Sequence, residues 1–121
     1  MTRTGGRAAT RALAATLGAA HLPLLLAPDE VSTAVVAEPP RPPRWLVRLL
    51  GARVVLQELV VLMAPTRRVV VLGAAVDGLH ATSMVVAALR WPQHRRAAVT
   101  SGLVAATSSA LELATVPAAG N

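Results

Sequence analysis

The run from Val69 to Leu89, VVVLGAAVDGLHATSMVVAAL, most constrains what this chain folds into. Its length matches the roughly 20 apolar residues a helix needs to cross a bilayer. Yet Asp77 and His80 stand near its middle. Three further apolar segments accompany it: Arg11 to Pro28, Trp45 to Pro65 and Ala97 to Pro117. Open strands cannot cross lipid with unpaired backbone groups, so the Val-rich stretches read as helices. The chain has 121 residues, 54% of them hydrophobic and only 15% charged. A soluble domain of that size needs a larger polar skin, because small proteins have much surface for their volume. The expectation is an all-α integral membrane bundle: one domain over residues 1–121, multi-pass in the cell membrane, four helices with a short amphipathic segment after the first.

The net charge of +6 raises nucleic-acid binding as an alternative, and the distribution of that charge argues against it. Every basic residue is Arg, and the arginines mostly flank apolar segments as they do in membrane proteins. Aromatic stacking platforms are missing: there are two Trp and no Phe or Tyr. Trp45 and Trp91 stand at segment ends, where interfacial anchors belong. The Arg, Ala, Val, Gly and Pro bias reads as that of a GC-rich genome. Without cysteine, disulfides, thiolate nucleophiles and thiolate metal sites are excluded.

Between the first two segments, DEVSTAVVAEPPRPPR suggests a short helix capped by Asp29 or Ser32, with Val31, Val35 and Val36 on one apolar side. The prolines of the 38–44 linker then impose an extended chain. Turns are expected at Pro65–Arg68 and at RWPQHRR, 90–96. The first segment also resembles a signal peptide, with Arg3, Arg7 and Arg11 before an apolar stretch, but LLLAPDE is a poor cleavage site. Four spans with the N-terminus inside put Arg90, Arg95 and Arg96 outside. The positive-inside rule therefore favours three spans, with the first segment lying in the interface.

Asp77 and His80 share a helix face with Gly73 and Met84, and Arg53 and Gln57 share one on the segment before. Folding these two segments as a hairpin about Pro65–Arg68 places Gln57 about 10 Å from the turn, Asp77 about 12 Å, and Arg53 and His80 about 16 Å. An unpaired Arg or Asp at the bilayer centre costs about 2.5–3.5 kcal/mol on insertion scales, and an Arg53–Asp77 pair removes most of that. The expected cluster is Arg53, Gln57, Asp77 and His80. A second acidic pair, Glu58 and Glu112, falls at a common depth of about 7–9 Å, where two acids in low dielectric share a proton. Glu58 is about 140° from Arg53, so both are not expected to face Asp77 well. Ser101, Ala105, Ser108 and Glu112 line one face of the last segment. Small residues also recur at packing spacing: Ala74, Gly78 and Thr82, then Gly102, Ala106, Ala110 and Ala114.

Other chemistries find little support. Asp77 and His80 with His21 fall short of a metal-ligand pattern. The serines of TSSA, with His80 as base, lack a nucleophile elbow. No phosphate loop surrounds Gly5–Gly6 or Gly73. Met63 and Met84 read as packing residues.

LGARVVLQ (50–57), GAAVDGLHATSMV (73–85) and RRAAV (95–99) together resemble a set of small, uncharacterised actinobacterial membrane proteins, loosely similar to four-helix DoxX-like membrane proteins. The likeness spans about Val31 to Val104. It implies a Gly-Ala-Arg opening the second helix, an Asp-x-x-His-Ala motif in the third and a short amphipathic piece after the first. Gly51, Ala52, Arg53, Gln57, Asp77, His80 and Ala81 match it, while Glu58 stands where a small or apolar residue is expected. No activity comes with the resemblance. The expected function is a non-enzymatic structural or interaction component without cofactor or metal. Its partners would be the bilayer and a second copy or a larger membrane protein, not nucleic acid. The alternative is a proton-linked small transporter or small-ligand binding protein using Asp77 and His80.

Overall fold

A computed structural model describes the backbone of residues 3–117 and the side chains of residues 6–117. Five α-helices follow one another: α1 (Arg3–Leu26), α2 (Pro28–Val35), α3 (Arg44–Met63), α4 (Arg67–Arg90) and α5 (Arg95–Ala114). A 3-10 turn, Pro92–His94, leads into α5, and no strand occurs among the described residues. The four long helices correspond to the four apolar segments. α1 starts well before the apolar run, because the alanines and arginines around Ala8–Ala12 are good helix formers. It continues past Pro23 and ends at Leu26, just ahead of Pro28.

Local chemistry explains most of the boundaries. α2 opens with Pro28 at its first position, where a missing N–H costs nothing. Neither Asp29 nor Ser32 caps it, contrary to expectation: Asp29 pairs with Arg44 at the start of α3, and Ser32 is buried. Prolines hold the 38–43 linker out of helix, and Arg41 Nε donates to the Val36 carbonyl at 2.8 Å. Pro65 stops α3, and the Thr66 hydroxyl accepts the Val69 N–H at 3.3 Å to cap α4. Arg95 Nε donates to the Ala88 carbonyl at 3.2 Å near the C-terminal end of α4, where a cation suits both the free carbonyls and the helix dipole.

α1, α4 and α5 are long and apolar enough to cross a membrane. α3 matches them in length but carries Arg44, Arg48, Arg53 and Glu58, so the second segment is too charged to count alongside them. The doubtful first segment takes its place.

The helices form two antiparallel pairs. Down the α1–α3 pair, Arg11 Nε donates to the Leu62 carbonyl at 3.2 Å, Gly18 faces Glu58 and Gly51 faces Leu24. Down the α4–α5 pair, Ser109 Oγ donates to the Ala74 carbonyl at 2.9 Å, and Gly102 lies against Met84. α3 and α4 are neighbours in sequence, yet they meet mainly through side chains. At one end a small core of Ala14, Val61 and Val70 joins the pairs, with the Thr10 hydroxyl 2.8 Å from the Thr115 carbonyl. The side chains are sorted inside out. Among the described residues every buried hydrophobic is Ala or Val, while the buried polar residues include Glu58, Asp77, Ser108 and Glu112. Large apolar side chains point outward, with Leu26 78% and Met63 83% exposed.

The small-residue rows sort differently from their spacing. Ala74 is buried and Gly78 half-buried against α5, but Ala106, Ala110 and Ala114 face outward. The packed row of α5 is Ala98, Ala105, Ser108 and Glu112, one helical stripe over.

Gly51 sets the separation of α1 and α3. A Cβ there would lie 2.7 Å from Leu24 Cβ and 3.2 Å from the His21 carbonyl oxygen, so the backbones must part to admit it. At Gly78 the nearest atom would be Ser109 Oγ at 3.8 Å, ordinary contact. Gly51→Ala should therefore lose about 1–3 kcal/mol of stability. Gly78→Ala should be neutral or mildly stabilising, as a helical Gly gains about 0.5–1 kcal/mol on becoming Ala. Thermal unfolding of both variants in the same detergent checks the difference.

Candidate functional site

Where the two helix pairs meet, four helices contribute to one level. On α3, Arg53 and Gln57 are a turn apart, and Arg53 Nη1 donates to Gln57 Oε1 at 3.3 Å and to Asp77 Oδ1 on α4 at 3.1 Å. With its oxygen engaged, Gln57 turns its amide nitrogen onto three carboxyl groups. Nε2 lies 3.2 Å from Asp77 Oδ2, 3.4 Å from Glu112 Oε1 on α5 and 3.5 Å from Glu58 Oε1. Gly73, one turn before Asp77, makes the meeting possible, since a Cβ there would stand 3.2 Å from Gln57 Nε2 and 3.4 Å from Glu112 Oε2. On the α1 side Gly18 lies against Glu58, where a Cβ would stand 3.4 Å from Glu58 Cβ, ordinary contact.

The acids are deeply buried: Glu58 and Asp77 are each 2% exposed and Glu112 is 5% exposed. Carboxyl oxygens of all three lie within 4.8 Å of one another. Fully ionised, three carboxylates beside one guanidinium would leave two uncompensated negative charges out of water, which is costly. Hydrogen counting points the same way. Gln57 has two amide hydrogens for three carboxyl oxygens, and Glu112 Oε2 has no partner. Two protons carried by the carboxyl groups close both deficits.

A cation would need the same central position, but a donor already fills it. The Gln57 amide is oriented by Arg53 on its oxygen side, so its N–H groups face inward and the arrangement does not fit a metal ion.

The expected cluster is therefore only partly the one that forms. Arg53, Gln57 and Asp77 come together. His80 instead places Nε2 2.8 Å from Ser101 Oγ on α5, while the separate acidic pair Glu58–Glu112 joins Asp77. The angular argument against Glu58 fails because a Glu side chain is long enough to bring its carboxyl round the helix to Gln57 Nε2. His21, weighed as a third metal ligand, holds Nδ1 2.8 Å from the Leu17 carbonyl of its own helix.

Beside the cluster, between the two pairs, lies a cavity of about 740 Å³. Leu24, Val47 and Leu50 of the α1–α3 pair wall it on one side, and Met84, Ala97 and Val104 of the α4–α5 pair on the other. Val31 and Val35 of α2, with Val36 just after it, line it as well. Arg53, Asp77 and His80 cluster at one part of it, while His21, Ser32, His94 and the hydroxyls of α5 add scattered polar groups; Glu58 and Glu112 stay behind Asp77, outside the lining. No motif announces this cavity. The one signal in the sequence is the apolar side formed by Val31, Val35 and Val36.

No family model, curated protein or solved structure matches this chain, so the site is argued from its geometry.

Removing one partner of a buried ion pair costs about 3–5 kcal/mol, because the other charge is left uncompensated. Arg53→Gln and Asp77→Asn should each destabilise the fold. The double variant should lose less than the sum of the two, with a coupling energy of about 1–3 kcal/mol in a double-mutant cycle measured by unfolding in detergent. Additive losses would mean that the pair does not act as one.

Proposed function

We propose that this chain is a non-enzymatic, multi-pass membrane protein that holds a small, mainly apolar ligand between its two helix pairs. The observation that carries the reading is the 740 Å³ cavity, apolar along its walls and polar at Arg53, Asp77 and His80. Binding sites for small molecules have this character: concave, mostly apolar, with a few placed polar groups.

Membrane insertion rests on three lines of support. Three helices have the length and apolarity to cross a bilayer. Along the long helices many Leu side chains and Met63 are turned outward while Glu58, Asp77 and Glu112 are turned inward, the sorting that lipid favours and water does not. Helix contacts run through Gly, Ala and Ser, as they do where no hydrophobic drive exists between helices. α3 crosses as the fourth span because Arg53 and Glu58 turn into the bundle, and Arg44 and Arg48 sit near its end within reach of the interface. The four-helix DoxX-like resemblance agrees with that count.

A coupled proton is a second reading, favoured by the two carboxyl groups, Glu58 and Glu112, packed behind Asp77. Asp77 touches both the cavity and that cluster, so a charge change on one side is felt on the other.

Four spans place both chain ends on one side of the membrane. Reporter fusions at the N- and C-terminus should therefore report the same compartment; opposite compartments mean three spans. Trp91 lines the cavity and Trp45 does not, so Trp45→Phe leaves a single cavity reporter. In nanodiscs, 11-bromoundecanol should quench Trp91 saturably, and Ala97→Phe, which fills the cavity, should leave only the linear quenching that comes from lipid. Linear quenching in both proteins would remove the ligand reading.

A further inference from the structure

We propose that the ligand is a single-chain carboxylate amphiphile, its head held by the Nε–Nη2 edge of Arg53 and its chain lying along the apolar walls of the cavity. The inference rests on the cavity being a ligand site, and it names the chemistry of that ligand.

A guanidinium has five N–H donors in a fixed planar fork. In Arg53 the Nη1 hydrogens are committed to Asp77 and Gln57. Nε is buried and has no acceptor, so the guanidinium must turn slightly toward the cavity for a ligand oxygen to reach it. Among the described residues Nη2 makes no hydrogen bond either. The two unused donors lie along the same edge, and that edge matches a carboxylate in the bidentate, charge-assisted geometry that suits Arg. A buried donor without a partner is rare in folded proteins. Here it belongs to a residue that lines the cavity.

The electrostatic layout selects the sign of the head group. The Arg53 side chain is 28% exposed and that of Asp77 is 3%, so a ligand meets the guanidinium before the carboxylate. Glu58 and Glu112 lie behind Asp77 and do not line the cavity. An ammonium head would face Arg53 first and be repelled. A neutral hydroxyl would satisfy one donor at most and leave the other unmet. The rest of the lining, from Leu24 and Leu50 to Met84 and Val104, offers an alkyl chain apolar contact and no competing acceptor of its own charge. Arg53 thereby has two roles on two edges: Nη1 joins the helix pairs, and Nε with Nη2 reads the ligand.

The test uses the full chain with Trp45→Phe in nanodiscs, at mildly alkaline pH where the carboxylate is ionised. The probes are 11-bromoundecanoate, 11-bromoundecanol and 11-bromoundecyltrimethylammonium, read by quenching of Trp91 fluorescence. The carboxylate should saturate at a concentration about tenfold or more below the alcohol, the size of an added charge-assisted hydrogen bond. The ammonium should show only linear quenching. Arg53→Lys keeps the charge beside Asp77 and removes the planar edge, so it should bring the carboxylate level with the alcohol. The wild-type head-group series decides the matter even if that variant folds poorly. Equal saturation by carboxylate and alcohol, or preference for the ammonium, would overturn the head-group inference while leaving the cavity a ligand site. No saturable quenching by any of the three would overturn the cavity reading and this inference with it.

Discussion

One contact constrains everything else in this protein: the Arg53 guanidinium on α3 against the Asp77 carboxylate on α4. A charge in an apolar interior is tolerated only with a partner and enough hydrogen bonds to satisfy its remaining atoms. That requirement fixes the level at which α3 and α4 face each other, because only one axial register brings the two groups to 3.1 Å. Gln57 extends the constraint to α5 by spanning Asp77 and Glu112. Gly73 completes it from the other side, since a Cβ there would crowd the ends of Gln57 and Glu112. A buried ion pair is no guarantee of stability, as apolar groups of the same shape often do as well. Its value here is that it aligns two helix pairs which otherwise share little contact.

The two-pair architecture follows from how the small residues are spent. Gly51 brings α1 onto α3, and Ala74, Gly102 and Ser109 bring α4 onto α5. Where both pairs carry bulk instead, they stay apart, and Leu50, Met84 and Val104 come to wall a cavity rather than a seam. A polar join beside an apolar space is the natural product of pairs held together at one level and one end, and the function proposed for the chain uses both parts.

Much of this was legible in the residues. Helix positions follow from apolar runs bounded by proline and arginine, and matching depths in a hairpin put Arg53, Gln57 and Asp77 together from the sequence alone. Depth is a one-dimensional property, so it survives ignorance of helix rotation. The angular arguments fared worse. His80 sits at the right depth but is turned to Ser101, and Glu58 reaches the cluster from a direction that a bare helical wheel discounts. Both depend on what α1 and α5 place opposite, which is three-dimensional information. Spacing alone leaves two stripes of α5 open, the Ser101, Ala105, Ser108 and Glu112 face and the Gly102 row; in an alanine-rich helix such rows look alike, and burial of Ala105, Ser108 and Glu112 decides for the first. The cavity left no trace in the pattern because it is a property of what fails to touch.

The central claim is that the Arg53–Asp77 join, and not the surrounding apolar packing, holds the two pairs in place. The chain has no cysteine, so spin labels can be introduced at chosen outward positions alone. Labels at Ala15 and Ala106 report the distance between pairs, and labels at Leu79 and Ala106 the distance within one. Pulsed electron–electron resonance in nanodiscs should show the first distribution broadening and shifting outward in Asp77→Asn while the second stays narrow. An unchanged distance between pairs in that variant would contradict the account.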